Sequence, residues 1–225
     1  LHLLISVTIA AVTLSVMLLV WYPRPLFEAS GGTGLLYILV GVDVCIGPLI
    51  TLVVYKAGKR GMRFDLAVIG ILQLGALLYG TYIMFEARPV YIVLIKGQFE
   101  VVSAVELHPD MLAQARGTEF EKVPLDGPKL VYSDINQEEM QEVIKSVFAG
   151  GPDIHHRPRH YVRYEERRKE ALAQAQPLEH ARRTWPESVP LIDGYLAESG
   201  RKKAETVYLP GRAPFGWIIA LVDAK

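Results

Sequence analysis

Residues 56–63 read Lys-Ala-Gly-Lys-Arg-Gly-Met-Arg, with four positive charges, no acid and two glycines, set between two apolar runs. Before them lies a run of roughly Leu35 to Tyr55, interrupted by Asp43; after them lies Phe64 to Phe85, with Asp65 at its edge and Gln73 inside. Further back, Leu1 to Trp21 contains no Asp, Glu, Lys or Arg and ends on Trp21-Tyr22-Pro23, two interface aromatics and a helix breaker. About 20 apolar residues at 1.5 Å rise match a hydrocarbon core of about 30 Å. The pattern predicts an integral membrane α-helical bundle of three transmembrane helices, about 1–21, 35–55 and 64–85. A cleaved secretory signal is the alternative for the first run. That run is longer than an ordinary signal core and no small-residue cleavage site precedes Trp21.

Charge is distributed unevenly around this reading. The chain has 225 residues, 24 Lys+Arg and 24 Asp+Glu; residues 1–85 hold only five basic and three acidic side chains, leaving 19 and 21 in 86–225. The zero net charge removes the basic surface on which nucleic-acid affinity depends, so no nucleic-acid partner is expected. Cys45 is the single cysteine, so an intramolecular disulfide is excluded. Short loops rich in Lys and Arg stay in the cytoplasm. Lys56, Lys59, Arg60 and Arg63 therefore set the topology, with the N-terminus inside and residues 86–225 delivered to the far side. A chain that starts at Leu1 with no basic stub leads us to expect upstream residues in the parent protein.

Residues 86–225 are long enough for one independent core. Tyr91–Ile95 and Phe99–Val105 read as strands about a Lys96-Gly97-Gln98 turn, His108–Ala115 as a short helix, and Leu130–Ser133 as a strand. Asp134 is placed to cap a helix over about 137–149, with Met140, Val143, Ile144 and Val147 on one face. Residues 160–176 read as one charged helix and 177–190, with three prolines, as connector. Thr206–Leu209 and Trp217–Val222 read as strands joined through 210–214. Strands at both ends with helices between them define an α+β extracytoplasmic domain.

A carboxylate within a span costs about 2.5–3.5 kcal/mol on insertion scales. Asp43 must face protein or hold a proton. Counting helical rise from the cytoplasmic end of each run puts Thr13, Asp43 and Gln73 within about 5 Å of one depth. We expect a membrane polar layer there, serving as interhelical glue or as a docking point for a further helix. A proteolytic dyad would need a second carboxylate at that depth, and Asp65 lies about 15 Å away by the same count. Gly41, Ala76 and Gly80 are small residues suited to close helix approach, and Gly47-Pro48 should kink the second run.

His155, His156 and His160 form the only histidine group, but Pro158 breaks the turn that would align them, and Arg157, Arg159 and Arg163 repel a cation. No metal is expected. Arg157, Arg159, Tyr161 and Arg163 are better read as a surface contact, or simply as a solvated helix start. There is no phosphate-binding glycine loop, no Gly-x-Ser-x-Gly elbow and no Cys-x-x-Cys. Neither enzyme activity, nor a cofactor, nor a small-molecule substrate is expected.

Leu1–Ser6, Leu19-Val20-Trp21-Tyr22-Pro23 and the stretch Gly41–Leu52 resemble type IV pilin accessory proteins of the TfpX/TfpZ group. So do Arg63–Ile69, Gln73-Leu74, Tyr79-Gly80 and Ala87-Arg88-Pro89-Val90-Tyr91, and more loosely His156–Tyr161. That family begins with a basic stub absent here and continues past a stretch like Val222-Asp223 into a further strand. The resemblance implies a multi-pass protein of the bacterial inner membrane with its C-terminal domain in the periplasm. It implies a chaperone-like accessory factor that binds the type IV major pilin without catalysis and promotes pilus assembly. The competing reading is a membrane-anchored sensor with a periplasmic ligand-binding domain. Only the short loop 56–63 remains inside on the predicted topology, which leaves a sensor no output domain of its own.

Overall fold

The computed structural model describes residues 2–41, 47–54 and 61–224. The chain divides into two compact units: residues 1–90 with 103–105 and 124–128, and residues 91–102 with 106–123 and 129–225.

The first unit is helical. Helix α1 (His2–Val16) passes into a π-helical turn at Met17–Trp21. Short helices α2 (Leu26–Ala29), α3 (Gly32–Val40) and α4 (Gly47–Val54) follow, then the long helix α5 (Met62–Glu86). Only α5 is long and apolar enough to cross a membrane among the described residues, over Phe64–Glu86. This corrects the three-helix transmembrane bundle and the multi-pass topology expected above. The apolar composition is there, but no other described helix has the length. At 15 residues, α1 reaches about 22 Å. The second run holds two helices of nine and eight residues. Within α5 only Leu77 and Met84 are buried, while Phe64, Ile71, Leu72, Leu78 and Tyr79 stand exposed. A core helix of a soluble protein would bury such side chains.

The second unit is built on a mixed seven-stranded sheet. Strands β1 (Pro89–Ile95) and β2 (Gln98–Ser103) are joined by a two-residue turn, with Lys96 at φ 46° and Gly97 at φ 82°. Left-handed conformation at both central residues is the turn that matches strand twist. Helix α6 (Pro109–Gln114) leads to β3 (Lys129–Ser133), which lies parallel to β1 with Tyr91 opposite Lys129. Helix α7 (Gln137–Phe148) starts with a capping box: the Asn136 side chain accepts from the Glu139 N–H at 2.9 Å, and the Glu139 carboxylate accepts from the Asn136 N–H at 3.1 Å. The cap is thus Asn136 rather than Asp134.

The segment expected as one charged helix divides into a 3₁₀ turn (Pro158–His160), strand β4 (Tyr161–Arg163), a second 3₁₀ turn (Tyr164–Arg167) and α8 (Arg168–Ala173). β4 runs antiparallel to β3. The expected connector contains the two-residue strand β5 (Gln176–Pro177) and α9 (Leu178–Thr184), and α10 (Val189–Ser199) follows. Its prolines start elements: Pro177 precedes α9, and Pro190 sits in the first turn of α10. Finally β6 (Thr206–Ala213) and β7 (Gly216–Asp223) pair antiparallel along their whole length, turning at Pro214-Phe215.

Sheet order is β4-β3-β1-β2-β6-β5, with β7 also on β6. Period-two alternation puts neighbouring residues on opposite faces. Leu209, Ala220 and Val222 pack with Leu94, Phe99, Tyr164 and Ala171. Tyr208, Ile219 and Leu221 pack with Leu178, Ala181, Ile192 and Leu196 on α9 and α10. Both faces of this part of the sheet are therefore covered. Replacing Gly97 tests the turn, since a β-carbon there would adopt a left-handed conformation 3.3 Å from Gln174 Cβ. Gly97→Val is expected to cost about 1–3 kcal/mol, read as a lowered unfolding midpoint by far-UV circular dichroism.

Candidate functional site

The expected polar layer is only partly visible. Asp43 lies outside the described residues, as do Lys56, Lys59, Arg60 and the side chains of Arg63 and Pro48. Thr13 is half-buried on α1. Gln73 is half-buried on α5, which packs chiefly on α4 and α3. The Gln73 carboxamide lies directly on Gly47, so that any β-carbon at Gly47 would overlap it. Gln73 Oε1 is buried with no hydrogen-bond partner among the described residues. Gly47 therefore serves as a close-approach point between α4 and α5. Gly41 and Gly80 are half-buried, and Ala76 is exposed.

Of the expected surface contact, Arg157 and Tyr161 are interior and Arg159 and Arg163 are exposed. Arg157 is 8% exposed, its Nε and Nη2 donating to the Pro152 carbonyl at 3.1 and 2.9 Å and Nη2 to Ser146 Oγ at 2.8 Å. Tyr161 is buried in an aromatic group with Tyr91 and Phe120, at centroid distances of 5.0 and 5.8 Å. Burial holds its phenol well above the usual tyrosine range. Arg163 is exposed but forks onto Glu119, at 2.6 and 2.8 Å. Arg159 is exposed and donates to His160 Nε2 at 2.8 Å. Among the described residues no three His, Cys, Asp or Glu side chains are grouped to hold a metal ion.

A different constellation stands where α5 ends, at the motifs Trp21-Tyr22 and Arg88-Pro89, to which the sequence alone assigned no site. Met17, Tyr22, Phe27 and Met84 form a buried cluster. Tyr22 donates its hydroxyl to the Met84 carbonyl at 2.8 Å, and Trp21 packs edge-on to Phe85 at 5.1 Å. Arg88, only 3% exposed, lays its guanidinium over the Phe85 ring at 3.7 Å. Its Nη1 donates to the Phe85 carbonyl and its Nη2 to the Pro124 carbonyl at 3.3 Å. The backbone carbonyl of Arg88 accepts from Ala104 N–H at 2.9 Å. Burial lowers the Arg88 pKa, opposed by Glu86 and Tyr22, and raises that of Tyr22, opposed by Arg88. A cation over an aromatic ring and two carbonyls at a helix C-terminus is a locking arrangement, favourable to the helix dipole and closed to solvent.

Fold and site together define a protein with one apolar helix able to anchor it in a membrane, locked at its end, and a mixed-sheet domain. Three curated relatives come from Dichelobacter nodosus. The fimbrial assembly protein of serogroup I is 34% identical over 181 residues, covering 79% of this chain and 70% of the relative. That of serogroup E1 is 33% identical over 181 residues, with the same coverage. That of serogroups C1 and C2 is 35% identical over 116 residues, or 51% of this chain and 88% of the relative. The chain belongs to this family of fimbrial assembly proteins. No family model matches the sequence, and no solved structure matches it.

Arg88→Met should leave the Phe85 and Pro124 carbonyls without their charged donor and cost about 2–4 kcal/mol. Tyr22→Phe should cost about 1 kcal/mol. Denaturant unfolding in detergent, followed by tryptophan fluorescence, checks both, with the exposed Arg183→Ala as a control expected within about 0.5 kcal/mol of the parent.

Proposed function

We propose that this protein is a non-catalytic accessory factor of type IV pilus assembly that binds the major pilin as a chaperone does. The observation that carries the reading is the family: relatives at 33–35% identity are fimbrial assembly proteins. The motif resemblance to the TfpX/TfpZ group supports the same direction. On this reading α5 anchors the chain in the bacterial inner membrane. Lys56, Lys59 and Arg60 precede α5, Arg63 lies in its first turn, and this basic cluster holds that end in the cytoplasm. The sheet domain then lies in the periplasm, where it meets the folded part of pilin. Asp43, Gln73 and Thr13 are the proposed contacts for an apolar pilin helix.

Deletion of the gene with separate measurement of pilin level and surface pili tests the role. Loss of pili with pilin intact is expected; unchanged pili would overturn the assembly role. Photo-crosslinkers at positions 13, 43 and 73 should capture pilin in cells, and capture of lipid alone would remove the intramembrane contact. A reporter fused after Lys225 should be active in the periplasm, and cytoplasmic activity would reverse the topology.

A further inference from the structure

Two histidines that the assembly reading does not use adjoin in the sheet domain, half-buried, with ring centroids 4.0 Å apart and planes tilted by 57°. They sit on a 3₁₀ turn, Ile154–His156, opened by the Asp153 side chain accepting from Ile154 N–H at 2.6 Å. His155 Nδ1 faces Asp153 at 3.9 Å and His156 Nε2 faces Glu106 at 3.7 Å. Neither distance is a hydrogen bond, and His156 Nε2 is buried without a hydrogen-bond partner among the described residues. From β6, Arg212 bears on His155; it stands opposite Glu100 of β2, which accepts from Gln98 Nε2 at 2.7 Å and bears on His156. From β4, Tyr161 donates its hydroxyl to the His155 carbonyl. Immediately downstream, Arg157 ties the segment to Ser146 of α7.

We infer that residues 153–161 form an acid-responsive clasp on the sheet, closed while His155 is neutral and loosened when His155 takes a proton. The physical reason is crowding of like charge in a buried place. A protonated His155 is desolvated, lies on the ring of His156 and feels Arg212, while Asp153 and Glu106 compensate only partly. Its pKa is accordingly pushed down from 6.5 to about 4, first by burial and then by His156. Between those two values the unfolded turn binds the more protons, so the closed form loses stability as pH falls from about 6.5 toward 4. Glu100 works in the opposite sense. Burial raises its pKa, so its charge costs stability at neutral pH and that cost fades in acid. The clasp therefore responds to the difference between the two groups, and removing Glu100 should sharpen it.

The test uses the full chain in detergent. Hydrogen exchange of 154–161, corrected for the intrinsic rate, should lose about tenfold protection between pH 7.5 and pH 5.0. His155→Asn should flatten that loss, and Glu100→Gln should deepen it. The histidine proton resonance of His155 should titrate below 6, a readout that needs no variant. Titration at or above 6.5, or the same protection loss in His155→Asn as in the parent, overturns the clasp.

Discussion

The structure depends on how one apolar helix is ended. Helix α5 finishes at Glu86 and β1 begins at Pro89, so two residues must convert a 25-residue helix into a sheet strand. The last helical carbonyls lack intrahelical donors. In an apolar surrounding such groups are costly to leave bare. The chain meets the problem with side chains from both directions. Tyr22 reaches the Met84 carbonyl from 62 residues upstream, and Arg88 turns back onto the Phe85 carbonyl and ring. Proline at 89 forbids helical continuation and biases the preceding residue away from helix. The strand that follows starts from a fixed point, because the Arg88 carbonyl is also held by Ala104.

Within the sheet domain, β6 carries the organisation. It takes β2 and β5 as partners and β7 along its whole length. Adjacent Tyr208 and Leu209 enter separate cores on opposite faces. The Tyr208 hydroxyl, donating to Gln176 Oε1 at 2.9 Å, is satisfied without leaving its core. Arg212 and Glu100 extend the same strand pair into the histidine cluster. Perturbed titration often marks a catalytic site, but structural clusters perturb it too. Here the imidazoles are half-buried, and Tyr161 holds the backbone carbonyl of His155.

What the sequence disclosed follows what local chemistry fixes. The Lys96-Gly97 turn, α7 and β1 to β3 were legible because turn residues, a helical apolar face and β-branched runs act locally. The segment 160–176 was not, since its Arg and Glu spacing imitates an exposed helix, while burial of Tyr161 and Tyr164 makes a strand and a turn. The prolines of 177–190 looked like breakers and instead begin helices. Of the three predicted spans the third is α5, and the first two are not matched by a described helix of sufficient length. Apolar composition measures the solvent a segment prefers, whereas crossing a bilayer also needs an unbroken hydrogen-bonded helix. Among the described residues α5 alone has the length, while the helix ending at Trp21 and the helices Gly32–Val40 and Gly47–Val54 are shorter. Arg88 was illegible because nothing local distinguishes a buried arginine from a flanking one.

The Gln73–Gly47 contact shows why composition alone is also a poor guide to sites in the apolar unit. A carboxamide on a membrane helix is affordable only where it is shielded or paired. Glycine at 47 supplies the shielding by bringing backbone against the amide with no side chain between them. Any larger residue would push the Gln73 side chain outward, exposing a donor pair and an acceptor to hydrocarbon at a cost of several kcal/mol. Among the described residues Oε1 then has no donor, so the amide is shielded on this side without being satisfied.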